Sequence, residues 1–266
     1  ISEENGQVAL EAFWAVNLCG GFNPEFAAKT LKHSNPHVRL WTVRLLGDEK
    51  AIPEETASLL AELARIESNV EVRGQLAATA KRLSFAHALP IVRSLMSHDA
   101  DAEDIYQPLM VWWALESKVD AHSDEVLRLF GDKKLWGKSL VRQHILNRLI
   151  RRFAKSGTRR DLLNSAKLFE LAPDIGATKV LMVGFEQAYK GRSMAALPER
   201  LMEAMARHGG GSVALGLRRG ESKAVDEALK VIADVKAEKI IRLQYSEIIG
   251  EVPNLKAIPV FLNILK

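Results

Sequence analysis

Residues 35–47 (NPHVRLWTVRLLG) hold a full set of helix signals in one short stretch. Asn35 can cap the start of a helix, Pro36 suits its first position, and Gly47 can end it. The apolar residues between them follow helical spacing and are Val38, Trp41, Val43, Leu45 and Leu46. The stretch therefore predicts one helix of roughly three turns.

The same order of signals recurs along the chain. Asn23-Pro24 precede EFAAKTLKH, Pro53 precedes EETASLLAELARI, and Ser139 can cap a segment that ends at Gly157. Strand signals are nearly absent, because no Asn-Gly turn joins two alternating runs and aromatic residues make up only 6% of the chain. The sequence therefore predicts an all-α protein of roughly fourteen helices joined by short loops.

The helices also repeat. The dipeptide Val-Arg stands at 38–39, at 72–73 and again at 141–142. Because the second interval is close to twice the first, one unit is skipped, and residues 105–116 (IYQPLMVWWALE) fill that gap. Repeats of about 34 residues built from helices are typical of a solenoid.

A second internal repeat links two distant segments, ALPIVRSLM at 88–96 and AIPVFLNIL at 257–265. A single helix pair cannot bury its own apolar stripe, so successive pairs cover one another. We therefore expect residues 1–266 to form one right-handed α–α superhelix of roughly seven helix pairs, at about 35–40 residues a pair. Three glycines at 209–211 mark a possible break at 207–212.

Composition excludes several classes of protein. Apolar residues are 47% and charged residues 26% of the chain, as in a globular protein that buries a core. Cys19 is the single cysteine, which excludes a disulfide framework, a four-thiolate metal site and the Cys-x-x-Cys-His of covalent haem attachment. No apolar run approaches the roughly 18 residues of a membrane span. The net charge of +4 does not by itself indicate nucleic acid binding.

The Val-Arg helix openings and the Ala-x-Pro-x-Val helices resemble HEAT repeats of the bacterial kind along nearly the whole chain. The resemblance implies an ARM-type helical fold whose function is protein binding. It also implies that the valine packs inward and that the arginine ties neighbouring units together.

A narrower resemblance rests on four segments, which are LEAFWAVNLCGG (10–21), LKHSNPHVRLWTVRLLGDE (31–49), LMVWWALES (109–117) and LVRQHILNRLIRRFA (140–154). They are similar to the helical segment of large exported multidomain proteins of the planctomycete type. In those proteins a sugar-dehydrogenase-like β-propeller precedes the helical segment, and a cytochrome c domain follows it.

This narrower resemblance implies that the chain, which starts at Ile1, is a piece of such a protein, exported to the periplasm or cell envelope. The chain itself contains neither the propeller nor the haem motif. We therefore expect no cofactor and no catalytic residue within it.

Three motifs that could hold a metal or an anion are better explained as turns. His33 and His37 have the spacing of a helical metal pair, but Pro36 breaks the helix that would align them. The acidic segment 98–104 lacks the glycine and glutamate positions of an EF-hand loop and suits a cap for the next helix. The glycines within 208–212 lack the flanking residues of a phosphate loop or an esterase. We expect no metal site.

The strongest local charge bias lies between residues 133 and 160, where ten Lys and Arg occur and no Asp or Glu. Four of these basic residues have helical spacings of three, four and seven, so they share one face. We call them the basic ridge, and they are Arg148, Arg151, Arg152 and Lys155. The ridge either binds an anionic partner or is a solvated face paired with acids such as Glu170 or Asp174.

Trp112 and Trp113 are adjacent, so their side chains point about 100° apart on a helix. One is expected in the core and the other near a groove, where it could stack on a base or a sugar. Packing between repeats is the simpler interpretation.

Two functions are compatible with this sequence. The first is a non-catalytic scaffold or interaction module that holds protein partners or flanking domains, here the dehydrogenase-like propeller and the cytochrome c domain. The alternative is a nucleic-acid-binding protein similar to the alkylated-base DNA glycosylases built from HEAT-like repeats. That alternative needs the basic ridge, a tryptophan and a carboxylate on one concave face, and the sequence favours it less.

Overall fold

The computed structural model describes residues 6–190, 197–207, 213–252 and 254–265. Within these ranges the chain is helical and no residue lies in a β-strand, which confirms the predicted all-α class. The chain divides into two compact units, Ile1–Ile145 and Leu146–Lys266. The break predicted at 207–212 falls on residues 208–212, which lie outside the described ranges.

The first unit comprises α1 (Gly6–Leu18), α2 (Pro24–Thr30), α3 (Pro36–Asp48), α4 (Glu54–Ile66), α5 (Val70–Arg82), α6 (Phe85–Leu95), α7 (Gln107–Val119), α8 (Ser123–Leu129) and α9 (Lys133–Trp136), with a 3-10 turn at Asp99–Glu103 and a π-helical segment at Val141–Ile145. The second unit comprises α10 (Leu146–Ser156), α11 (Arg159–Leu171), α12 (Ile175–Ala188), α13 (Glu199–Ala206), α14 (Val213–Arg218), α15 (Ser222–Ala233), α16 (Lys239–Glu251) and α17 (Ala257–Ile264).

The described ranges thus hold seventeen α-helices, more than the roughly fourteen expected. The excess comes from short helices, of which α9 has only four residues. Such a helix is too short to show a hydrophobic period, so the sequence pattern does not reveal it.

Two of the predicted start signals, Asn23 and Asn35, cap their helices. Ser139, expected to cap the segment that ends at Gly157, is instead the first residue of that helical stretch. The Asn35 side chain accepts a hydrogen bond from the His37 N–H at 2.8 Å. The Asn23 side chain does the same for the Phe26 N–H, also at 2.8 Å. A proline follows each asparagine and occupies the first helical position, where its missing N–H costs nothing.

Gly47 was expected to end α3, and this expectation is wrong, since α3 continues to Asp48. A β-carbon at Gly47 would lie 2.8 Å from the Thr79 side chain on α5. The glycine therefore allows two helices to approach closely. The residue with a left-handed backbone conformation is Lys50, two residues after the end of α3, with a φ of 58°.

Helices of the first unit pack mainly against the next helix but one. α3 lies against α5 and α5 against α7, while α2 lies against α4 and α4 against α6. These two rows share a core, because α5 also contacts α4 and α6. Fully buried side chains from both rows include Leu60, Leu76, Ile91, Leu95 and Leu115.

Two arginines connect successive repeats in the first unit. Arg39 on α3 donates Nε and Nη2 to the Glu67 carboxylate at 2.7 Å each. Arg73 on α5 donates Nε to the Asp101 carboxylate at 2.7 Å and Nη2 to its other oxygen. In both pairs the carboxylate lies 28 residues after the arginine. We call these two pairs the arginine bridges.

Each bridging arginine also holds the loop before its own helix. Arg39 Nη1 donates to the His33 carbonyl at 2.7 Å and to the Ser34 carbonyl at 2.9 Å. Arg73 Nη1 donates in the same way to the carbonyls of Glu67 at 2.9 Å and Ser68 at 2.8 Å. The preceding valines, Val38 and Val72, are fully buried. The Val-Arg repeat therefore produces the same arrangement twice, with valine in the core and arginine across the junction.

The bridges are largely removed from water. The side chains of Arg73 and Asp101 are 9% and 3% exposed. Burial raises the pKa of Glu67, but hydrogen bonds from Arg39 and from the Asn69 N–H outweigh it, so this pKa lies below its ordinary value. A buried charge of this kind is tolerated only while its partner is present.

We predict that Arg73→Met lowers the free energy of unfolding by about 3–5 kcal/mol, because it leaves the Asp101 carboxylate buried without its cation. The double variant Arg73→Met/Asp101→Leu should recover part of this loss, because it removes the stranded carboxylate but leaves the two loop carbonyls without the Arg73 donor. Urea unfolding followed by circular dichroism measures both effects.

The matched control for this prediction is Arg65→Met. Arg65 pairs with Glu62 on the same helix, and both side chains are exposed, so the transition should not move. Equal losses in Arg73→Met and Arg65→Met would contradict a structural role for the buried bridge.

The second unit repeats the same packing order. α10 lies against α12, α11 against α13, α14 against α16 and α15 against α17. Arg218 on α14 donates Nη1 to the Tyr189 carbonyl at 3.0 Å and to the Glu251 carboxylate on α16. An arginine thus connects distant segments in this unit as well.

The contact between α10 and α12 depends on Gly184. A β-carbon at this position would lie 2.5 Å from the Asn147 carbonyl oxygen and 2.6 Å from Ile150 Cγ2. Both atoms belong to α10, and a backbone oxygen cannot move aside as a flexible side chain can. The absence of a side chain at Gly184 sets how closely the two helices approach.

We predict that Gly184→Ala lowers the free energy of unfolding by about 1–3 kcal/mol, because the added methyl group forces α10 and α12 apart. Gly250→Ala on α16 is the matched control, since nothing lies within 4 Å of its β-carbon position. The control should be neutral or stabilising by up to about 1 kcal/mol. Thermal unfolding of both variants tests this, and a destabilised control would contradict the packing explanation.

Candidate functional site

The basic ridge lies on α10, as the helical spacing predicts. Arg148 and Arg152 are half-buried, while Arg151 and Lys155 are exposed. The opposite face of α10 packs against α11 and α12. Its buried side chains are Leu146, Leu149, Ile150, Phe153 and Ala154. The helix is therefore sharply divided into an apolar side and a cationic side.

The charges of the ridge repel one another. Burial and the neighbouring charge of Arg151 both lower the pKa of Arg148.

The two acids proposed as counter-ions have other partners. Glu170 accepts hydrogen bonds from Arg200 Nε and Nη2 at 2.8 and 2.7 Å, and these bonds lower the pKa of Glu170. Asp174 accepts from the Ala177 N–H at 2.7 Å and so caps α12. Both carboxylates thus stabilise the second unit at other positions than the ridge.

Trp112 and Trp113 lie on α7, in the first unit, and occupy different environments. Trp112 is 6% exposed and packs in the core, whereas Trp113 is 46% exposed. The Lys81 ammonium lies 5.7 Å from the centroid of the Trp113 ring, close enough for a cation–π interaction. One ring is thus internal, as expected, and the other is exposed beside Lys81, while a groove next to it stays a prediction.

Pro36 separates the two histidines, as expected, so that His33 lies in the turn before α3 and His37 lies in the helix. His33 Nδ1 accepts a hydrogen bond from the Asn35 N–H at 3.0 Å. His37 stands at the start of α3, 4.0 Å from the Glu71 carboxylate. Across the part of the chain that the structure describes, no cluster of three His, Cys, Asp or Glu could hold a metal ion.

The acidic segment 98–104 has three separate structural roles. Asp104 accepts from the backbone N–H groups of Tyr106 and Gln107 at 2.8 and 2.9 Å and caps α7 as expected. Asp99 accepts from the Ser139 N–H at 2.7 Å and caps the helical stretch that begins at residue 139. Asp101 forms the second arginine bridge.

Sequence reasoning missed the role of Asp101 because it assigned the whole segment to a cap for the next helix. The signal was nevertheless present. Asp101 lies as far along the chain from Arg73 as Glu67 lies from Arg39, so each of the first two repeat arginines is followed by an acid at the same interval.

No family model, curated protein or solved structure matches this chain. No helix in the described ranges is long and apolar enough to cross a bilayer.

We predict that the two tryptophans differ in their effect on stability. Trp112→Ala should lower the free energy of unfolding by about 3–5 kcal/mol, because it opens a cavity in the core. Trp113→Ala should cost less than about 1 kcal/mol, the size of a surface cation–π contact. Guanidinium unfolding of the two variants checks this, and similar losses would show that both rings are structural.

Proposed function

We propose that this chain is a non-catalytic HEAT-type scaffold, a right-handed superhelix of roughly seven helix pairs. Its partners are protein surfaces or flanking domains of a larger exported protein, namely a dehydrogenase-like β-propeller and a cytochrome c domain. The observation that carries the proposal is the pair of arginine bridges, which join consecutive repeats at a constant separation along the chain.

The bridges support a scaffold because they fix geometry. A bidentate arginine–carboxylate pair constrains orientation as well as distance. Arg39 and Arg73 each add two backbone carbonyls to that pair, so neighbouring helix pairs have little freedom to rotate. A rigid row of helix pairs can hold two redox domains at a set distance without taking part in their chemistry.

The arrangement of the titratable groups also favours a scaffold. Among the acidic residues that sequence reasoning singled out, Asp99, Asp104 and Asp174 cap helices, and Asp101 and Glu170 pair with arginines. A general acid or base needs a position beside a bound substrate, and these groups are spread over separate helix ends and junctions. We accordingly expect no catalytic turnover by this chain alone.

Isothermal titration calorimetry tests the proposal. The purified chain is titrated with recombinant β-propeller and cytochrome c domains from a protein of the type it resembles. We expect saturable binding of at least one domain, and Arg73→Met at a temperature where it stays folded should weaken it. A folded chain that binds neither domain would overturn the proposal.

A second arm addresses the nucleic acid alternative. The chain is mixed with duplex DNA at about 50 mM salt, where phosphate contacts are strong. The scaffold proposal expects no gel shift. A salt-sensitive shift that Arg151→Glu/Lys155→Glu abolishes would assign the basic ridge to nucleic acid and replace the scaffold proposal.

A further inference from the structure

Three neighbouring helices of the first unit, α3, α5 and α7, turn one side to solvent. α5 lies between the other two and contacts both. On each helix, exposed or half-buried residues recur at i, i+4, i+7 and i+11, the spacing of one helical face. We call these positions the three-helix face, and they are 37, 41, 44 and 48 on α3, 71, 75, 78 and 82 on α5, and 106, 110, 113 and 117 on α7.

Contacts between α3 and α5 align their positions on this face. At one end His37 Nδ1 lies 4.0 Å from the Glu71 carboxylate. At the other end Arg82 pairs with Asp48. The two helices are therefore in register along the whole face, and each end carries an acid beside a base.

The middle of the three-helix face is aromatic and cationic. On α3 the Arg44 guanidinium lies 5.5 Å from the centroid of the Trp41 ring. On α7 the middle positions hold Met110 and Trp113, and the Lys81 ammonium of α5 lies 5.7 Å from the centroid of the Trp113 ring. The middle positions of α5, 75 and 78, hold a glutamine and an alanine. The middle of the face thus contains two exposed cations and no carboxylate.

Arg44 and Lys81 differ from other surface cations of this unit in their partner. Arg44 and Lys81 lie over indole rings, and among the residues that the structure describes no carboxylate forms a salt bridge with either. A surface cation–π contact is weak and leaves N–H groups of the cation in water, where they can donate to a carboxylate. The cations that do pair with carboxylates include Arg65, Arg82, Arg93, Arg128 and Lys138.

We propose that the middle of the three-helix face binds an extended acidic segment of a partner protein, in which carboxylates alternate with apolar side chains. The carboxylates pair with Arg44 and Lys81, and the apolar side chains cover Met110 and Trp113. Neighbouring helices lie about 8–10 Å apart, so a segment of roughly six extended residues crosses all three. The proposal rests on the proposed scaffold function for the class of partner, a protein.

The charges at the ends of the face favour a protein segment over a nucleic acid. A short extended segment that crosses the middle meets only Arg44 and Lys81. A duplex is wider and carries a phosphate charge at about every 1.7 Å of its axis, so it would also bring phosphates to Glu71 and Asp48 at the two ends.

The probe is a fluorescently labelled peptide of about twelve residues that repeats Glu-Glu-Val-Val. Alternate residues of an extended chain share a side, so each side presents glutamate and valine in turn. Fluorescence anisotropy follows its titration into the full chain at about 50 mM salt. We expect saturable binding that weakens as salt screens the charges. A peptide that repeats Lys-Lys-Val-Val should not bind.

Charge reversal tests the two cations. Arg44→Glu/Lys81→Glu should weaken binding of the acidic peptide at least about tenfold, because two attractions become repulsions. Lys133→Glu/Lys134→Glu is the matched control, since it makes the same change of net charge at exposed positions on α9, away from the three-helix face. The control should bind as the unaltered chain does. Circular dichroism establishes that both variants are folded.

Trp113→Ala tests the apolar part of the proposed site. The Trp113 side chain is 46% exposed, so the variant should fold, and it should bind the acidic peptide at least about threefold more weakly because the peptide loses apolar contact.

Several outcomes would overturn the proposal. They are no binding of the acidic peptide, binding that Arg44→Glu/Lys81→Glu leaves unchanged, and an equal loss in the Lys133→Glu/Lys134→Glu control. Binding of duplex DNA that Arg44→Glu/Lys81→Glu abolishes, with no binding of the acidic peptide, would assign the face to nucleic acid.

The result is distinguishable from the test of the scaffold function. If neither the propeller nor the cytochrome domain binds but the acidic peptide does, the peptide site holds and the proposed domain partners are wrong. If a domain binds and the peptide does not, the scaffold stands and the peptide site falls.

Discussion

The arrangement of the first unit depends on buried arginines that pair across the junction between repeats. A helix pair alone leaves one apolar stripe uncovered, and stacking covers it without specifying an angle. Arg39 and Arg73 each bind two loop carbonyls and a carboxylate 28 residues further along the chain. A bidentate pair of this kind constrains orientation as well as distance, which hydrophobic burial alone does not.

Much of this fold could be predicted from the sequence because its signals are local. Asparagine followed by proline marks helix starts through a hydrogen bond within three residues, and the Val-Arg spacing reveals the repeat. The role of Gly47 was predicted wrongly because the contact that requires a glycine there is with a distant part of the chain. A glycine that ends a helix and a glycine that admits a neighbouring helix look alike until the neighbour, here Thr79 on α5, is known.

In the candidate sites, too, features set by local spacing could be predicted and features set by distant contacts could not. The shared face of Arg148, Arg151, Arg152 and Lys155 follows from spacing on one helix, and so does the contrast between Trp112 and Trp113. The partners of Glu170 and Asp174 do not follow from spacing. Glu170 finds Arg200, 30 residues away, through packing of α11 against α13. An acid near a basic helix in sequence therefore gives little information about its counter-ion.

The third repeat has no bridging arginine. Gln107 occupies the position that Arg39 and Arg73 occupy in the two preceding repeats, and its amide donates a hydrogen bond to the Val70 carbonyl at 2.7 Å. The position in this repeat that corresponds to Glu67 and Asp101 holds Leu135, which has no charge to offer. The contacts at the junction after α7 include that of the His144 ring with the Ala102 carbonyl at 2.9 Å and the partly exposed pair of Lys138 with Asp99. Substitution of Gln107 would therefore leave no buried carboxylate without its cation, unlike substitution of Arg39 or Arg73, so equivalent positions in successive repeats differ in what a mutation costs.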